Sequence, residues 1–133
     1  MIVVDTSALM ALLLDEPGAE MIADILANDA DVSISAVTLA EARIVAARRD
    51  LAAEMNDLAE GLGFDVEAAT ADTARRVAEA YAVWGKGIHP AALNFGDCFA
   101  YVTAMSRTAP LLYVGDDFAR TDVQGAMPRS TSG

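Results

Sequence analysis

Little in this chain can bind it covalently to itself or hold it on a charged polymer. Its 133 residues include one cysteine, Cys98, which excludes an internal disulfide and agrees with a reducing compartment. Lysine and arginine number 9 against 20 acids, for a formal net charge of −11. A protein that coats nucleic acid usually presents a basic face, so this balance counts against one. It leaves open an enzyme that grips phosphates through a bound cation, and it suits a basic peptide partner. Aromatic residues make up only 6% of the chain, so helices must pack closely on small side chains, alanine above all. No apolar run approaches the roughly 20 residues that a membrane helix needs. The start has no basic leading region, and Asp5 interrupts its apolar stretch, unlike a secretory signal. The default expectation is a cytoplasmic protein with no membrane association.

What is present is a core. A hydrophobic fraction of 54% excludes a disordered chain, and the length suits one domain. Residues 1–5 read as a short, β-branched, buried strand ended by a polar residue. Thr6 or Ser7 can cap the helix carrying Ala8, Leu9, Leu12 and Leu13. Asp15 to Gly18 breaks it, and a second helix restarts near Pro17 with the stripe Met21, Ile22, Ile25 and Leu26. Strand two is Val32–Ser35. Helices follow over 36–49 and 51–62, the latter stopping near Gly61 and Gly63. Phe64–Glu67 reads as a third strand. Thr70 or Asp72 can cap a helix holding Val77, Tyr81 and Trp84. Residues 86–94 form a loop, and a helix then runs to about Arg107. Leu111–Val114 is a fourth strand, and Asp122–Gln124 can add an edge. Strands alternating with helices predict a three-layer α/β/α sandwich around a mostly parallel sheet of four or five strands. Residues 1–126 are expected to form the single domain, with a loose tail over 127–133.

Five carboxylates stand where such a sheet would gather them. Asp5 ends strand one, Glu41 lies shortly after strand two, Asp97 opens the last long helix, and Asp116 and Asp117 follow strand four. Ligands of open parallel sheets bind outside the carboxyl ends of the strands. Acids that repel one another are costly to gather unless a cation sits between them, which points to a hard-metal site for Mg²⁺ or Mn²⁺. Each acid also has a plainer reading. Asp5 can cap the helix after it, and Asp97 can meet the positive end of a helix dipole. A charge ending a buried strand, and a Glu among Leu39, Ala40 and Ala42, are harder to place as mere surface groups. Gly115 lets a tight turn present Asp116 or Asp117 to the sheet's upper edge, without deciding which. Cys98 and His89 invite a cysteine nucleophile, but a cysteine on an apolar helix is most often a core residue. Thr6 and Ser7 can hold a water or a phosphate near Asp5, although capping explains both. Arg43, Arg48, Arg49, Arg75, Arg76 and Lys86 can contact phosphates or lie on solvated helix faces.

Ile2-Val3-Val4-Asp5-Thr6-Ser7-Ala8-Leu9 resembles the opening strand and first acid of PIN-domain ribonucleases. Leu39-Ala40-Glu41 resembles their glutamate, Asn94-Phe95-Gly96-Asp97-Cys98 their third acid, and Leu111 to Phe118 their closing strand and last acid. Order, spacing and length are similar to the VapC toxins of bacterial toxin–antitoxin pairs. The resemblance implies a Mg²⁺- or Mn²⁺-dependent endoribonuclease, a homodimer, and a small cognate antitoxin with a basic segment. It implies Asp5 and Asp97 as metal ligands, with Glu41 and one of Asp116 and Asp117 completing the cluster, Asp117 being favoured because it immediately precedes Phe118. Many members carry a separated acid pair near the last strand, whereas here the two are adjacent. The rivals are a phosphatase or phosphotransfer domain on a similar sheet and a catalytically silent PIN-like scaffold. A haloacid-dehalogenase-like phosphatase would want a second Asp two residues after Asp5, where this chain has Ser7.

Overall fold

The computed structural model describes residues 1–128. Four strands, β1 (Ile2–Val4), β2 (Val32–Ser35), β3 (Asp65–Glu67) and β4 (Leu111–Leu112), form one sheet in the order β3-β2-β1-β4. Every pairing is parallel, with Val3 opposite Ser33 on one side and Leu111 on the other. Helices α1 (Thr6–Leu13) and α2 (Ala19–Ala27) link β1 to β2, and α3 (Ala36–Arg48) and α4 (Ala52–Leu62) link β2 to β3. The chain then crosses the whole sheet through α5 (Ala71–Trp84) and α6 (Phe95–Arg107) to lay β4 on the free side of β1.

The period-two rule for strands divides the core. Ile2 and Val4 of β1, Val32 and Ile34 of β2 and Leu112 of β4 pack with Leu9, Ile22, Leu26, Ala42, Ala46 and Met55 from α1 to α4. Val3 and Leu111 face the other way, against Val77, Ala80, Phe99, Val102 and Ala104 from α5 and α6. This is the expected three-layer sandwich with four strands. On the α6 side, buried Ser33 is not left unpaired: Arg107 donates to it at 2.7 Å and also pairs with Asp65 and Glu67 at 2.8 and 3.2 Å. One side chain thus ties the end of α6 to the edge strand.

Several expected boundaries move. The first helix is capped by Asp5, whose side chain accepts from Ser7 N–H, rather than by Thr6 or Ser7. The second begins at Ala19 behind Gly18, and Met21 of its stripe is exposed. Thr70 caps α5 in a reciprocal box with Thr73. Strand three starts at Asp65, and strand four ends at Leu112, beyond which Val114 N–H donates to the Ser7 hydroxyl rather than to a β1 carbonyl. Asp122–Gln124 is not a strand, although Gly125 makes a single bridge to Leu111. Of the expected loose tail, Met127 packs against the α1–α4 layer, and residues 129–133 lie outside the described residues. Among the described residues no helix is long and apolar enough to cross a membrane.

Candidate active site

The strand order reverses between β1 and β4, and this is where an open parallel sheet leaves a crevice at its carboxyl ends. Asp5 stands at that point. Its backbone is still extended and donates to Leu112 O at 3.0 Å, so β1 delivers the side chain at the rim of the sheet. Its Oδ2 accepts from Ser7 N–H at 3.0 Å and Ser7 Oγ at 2.7 Å. Asp5 therefore both caps α1 and belongs to the acid cluster. Ser7 Oγ accepts in turn from Val114 N–H at 3.0 Å, so one hydroxyl fastens Asp5 to the chain leaving β4. The other carboxylate oxygen, Oδ1, is buried with no hydrogen-bond partner. An unpaired charged oxygen removed from water is expensive. Burial accordingly pushes the Asp5 carboxyl above its usual range; the two Ser7 hydrogen bonds oppose this, and the nearby Glu41 charge reinforces it.

Glu41 comes from the second turn of α3 and is half-buried. Thr6 Oγ donates to Glu41 Oε1 at 2.8 Å and to Thr38 O at 3.3 Å. The two residues that follow Asp5 thus each orient one acid. Asp97 enters from the first turn of α6. Its Oδ2 accepts from Asn94 N–H at 3.0 Å while Asn94 Oδ1 accepts from Asp97 N–H at 2.8 Å, a reciprocal cap that fixes the helix start and the acid together. Burial raises the Asp97 carboxyl to about 6; the Asn94 amide pulls it down, and the charges of Asp5, Glu41 and Asp117 push it up. The charges of three other acids are therefore felt at Asp97.

The adjacent pair after β4 separates. Gly115 adopts a left-handed backbone, φ +105°, and Asp116 and Asp117 are both exposed. Asp117 is the one whose charge is felt at Asp97. Asp116 instead lines a separate cavity of about 410 Å³ with Pro17, Gly18, Tyr113, Ala119 and Met127. Among the described residues no group of three His, Cys, Asp or Glu side chains is disposed to hold a metal ion by itself. The donor set still fits a hard cation that keeps part of its shell as water or phosphate, as Mg²⁺ commonly does. The orphaned Asp5 oxygen and the raised Asp97 carboxyl are the groups that such an ion would satisfy.

The other candidates serve the scaffold. Cys98 is buried, with its thiol pushed up to about 11 by burial and by Asp97, so it is no thiolate near neutrality. His89 accepts from Ala91 N–H at 3.0 Å and meets Trp84 edge-on, which pins the 86–94 loop. Arg75 and Arg76 pair with Asp72 of their own helix, and Arg43 bonds the Asn56 side chain. Arg48 and Arg49 are exposed. Lys86 lies in an apolar groove of about 680 Å³ between α5 and the start of α6, beside Tyr81, Phe95 and Phe99. Sequence reasoning missed the positioning roles of Thr6 and Ser7, whose hydroxyls hold Glu41 and Val114 from tens of residues away.

The PIN domain family model matches residues 2–124. Ribonuclease VapC28 of Mycobacterium tuberculosis is 46% identical over 132 residues, covering 96% of this chain and 98% of that one. Ribonuclease VapC36 of the same species is 43% identical over 126 residues, covering 92% and 91%. In three dimensions the chain is similar to the sarcin–ricin-loop-cleaving toxin VapC20 of M. tuberculosis, with TM-score 0.79, 19% identity, and 96% and 100% of the two chains covered. It is also similar to a chain of a toxin–antitoxin complex from Klebsiella pneumoniae, with TM-score 0.70, 20% identity, and 92% and 93% covered. At these identities the solved structures speak for the fold alone. The chain belongs to the PIN-domain family and, within it, to the VapC ribonucleases. That membership ends the phosphatase reading.

Proposed function

We propose that this chain is a divalent-metal-dependent endoribonuclease that hydrolyses RNA phosphodiester bonds and acts as the toxin of a type II toxin–antitoxin pair. The observation that carries the reading is the buried, unpartnered Oδ1 of Asp5 within a set of mutually repelling carboxylates. Asp5 and Asp97 would hold Mg²⁺ or Mn²⁺, and Glu41 and Asp117 would complete the cluster through water. The bound ion would supply a water of lowered pKa and would neutralise charge on the phosphate. The chain's own part is positional. Ser7 holds one Asp5 oxygen while the other is left without a protein partner, Thr6 holds Glu41, and Asn94 holds Asp97. With Cys98 buried as a thiol and His89 committed to the loop, water is the nucleophile, which leaves a 5′-phosphate and a 3′-hydroxyl. Asp116 lies outside the cluster in this reading.

The substrate is a structured RNA with an exposed loop, where unstacked bases can be read and cut. The chain works in the cytoplasm as a homodimer, and a small antitoxin with a basic segment inhibits it. The net charge of −11 supports that partner, because long-range attraction speeds capture of a cationic segment. The test is cleavage of a defined stem-loop RNA by the purified chain with Mg²⁺, with Mn²⁺ and with chelator. Metal-dependent internal cuts bearing 5′-phosphates are expected. A folded chain that cuts no RNA with either metal would instead be a silent scaffold.

A further inference from the structure

Gly96 is the second residue of α6 and has no conformational need to be glycine. It lies in regular helix and is not among the glycines with positive φ. Glycine in a helix costs up to roughly 1 kcal/mol relative to alanine. What it provides is room. A Cβ built at Gly96 would overlap Glu41 Oε2 and stand 3.0 Å from Glu41 Cδ and 3.3 Å from Oε1. The carboxylate of α3 therefore lies against the bare backbone of α6, one residue before Asp97.

We propose that Gly96 is a positioning residue for the acid cluster: its missing side chain is what lets the Glu41 carboxylate reach the first turn of α6. What the placement accomplishes rests on the RNA-hydrolysis reading, but the placement itself does not. A methyl at this site meets the free end of a flexible side chain, so the carboxylate yields rather than the helix. Glu41 then leaves the Thr6 hydroxyl, which retains Thr38 O as an acceptor. Asp97 keeps its reciprocal cap with Asn94, so α6 still starts where it did. Gly96→Ala thus displaces one acid and leaves the fold in place.

The test compares the parent, Gly96→Ala, Glu41→Ala and the double variant. Their melting temperatures, their Mn²⁺ affinity by calorimetry and their RNA cleavage are measured, together with a crystal structure of Gly96→Ala. Gly96→Ala should melt at or above the parent, bind Mn²⁺ at least fivefold more weakly and cleave at least tenfold more slowly, mainly in kcat. In the Glu41→Ala background, where no carboxylate meets the methyl, the same substitution should change affinity and rate by less than twofold. The crystal structure should show the Glu41 carboxylate away from Thr6. A carboxylate in its parental position, or equal losses in both backgrounds, overturns the proposal. If Gly96→Ala does not fold, folding of the double variant still supports a clash with Glu41, and failure of both overturns it. A parent that cuts no RNA would sink the nuclease reading alone, because melting and crystal structure would still decide the role of Gly96.

Discussion

Replacing Asp97 with asparagine should stabilise the metal-free protein while disabling it. Asp97 titrates near 6 in the fold against an ordinary 3.8, chiefly because it is buried and then because Asp5, Glu41 and Asp117 repel its charge. At roughly 1.4 kcal/mol per pKa unit the ionised form would cost the folded state about 3 kcal/mol. The group is only half-buried, and screening brings this to on the order of 1–2 kcal/mol. Asparagine can still accept from Asn94 N–H, so the cap survives, although about 0.3–1 kcal/mol of helix-dipole attraction is lost. The net expectation is a gain of about 1 kcal/mol at pH 7.5 in chelator, read from urea unfolding at constant m-value. The sign follows from the raised value: the cost is present in full above about 6 and disappears as pH falls toward 3.8. The advantage of Asp97→Asn should therefore shrink between pH 7.5 and 5. A divalent ion should reverse the ranking, since saturation at 100 times Kd adds about 2.7 kcal/mol to a protein that binds it. An Asp97→Asn protein less stable than the parent in chelator at pH 7.5, or a gap that does not close on acidification, would refute the electrostatic account of the cluster.

Other substitutions probe separate parts of the argument. Asp5→Asn should fold and lose at least about 100-fold in RNA cleavage, since it removes charge without removing volume; parental rates would sink the assignment of Asp5 as a metal ligand. Cys98→Ser should keep its cleavage rate and lose about 1 kcal/mol or more of stability, because a hydroxyl replaces a buried thiol; a folded but inactive variant would revive the thiol as nucleophile. Arg107→Ala should cost about 1–3 kcal/mol in urea unfolding by leaving buried Ser33 and half-buried Glu67 without their donor, with kcat unchanged; an equal loss of activity would mean that the edge strand supports the site.

The alternating strands and helices, and the acids at strand ends, could be read from the sequence because local chemistry writes them. β-branched runs mark β1 and β2, and period-two patterning sends Val3 to one layer and Val4 to the other. Asp5 shows where local reading divides two roles that the structure unites, since one carboxylate caps a helix with Oδ2 and keeps Oδ1 buried without a partner. Gly96 carried no local signal, because its reason lies 55 positions earlier in Glu41. Ser7 looked like an ordinary cap, and its hold on Val114 exists only once β4 lies beside β1. In sequence only its place before Phe118 sets Asp117 ahead of adjacent Asp116. The left-handed turn at Gly115 and the neighbours met beyond it separate them.

The strand order also sets a timetable. β1 is the first of the four strands to be made, yet the partner on its free side, β4, is the last of the four to leave the ribosome. Before Leu112 and Val114 emerge, Asp5 sits on an open sheet edge, its backbone amide lacks Leu112 O, and Ser7 lacks one of its two partners. Asp117 can join Asp5, Glu41 and Asp97 only after β4 has been made. Long-range parallel pairing is slow to close, so the crevice between β1 and β4 is the last part of the sheet to form.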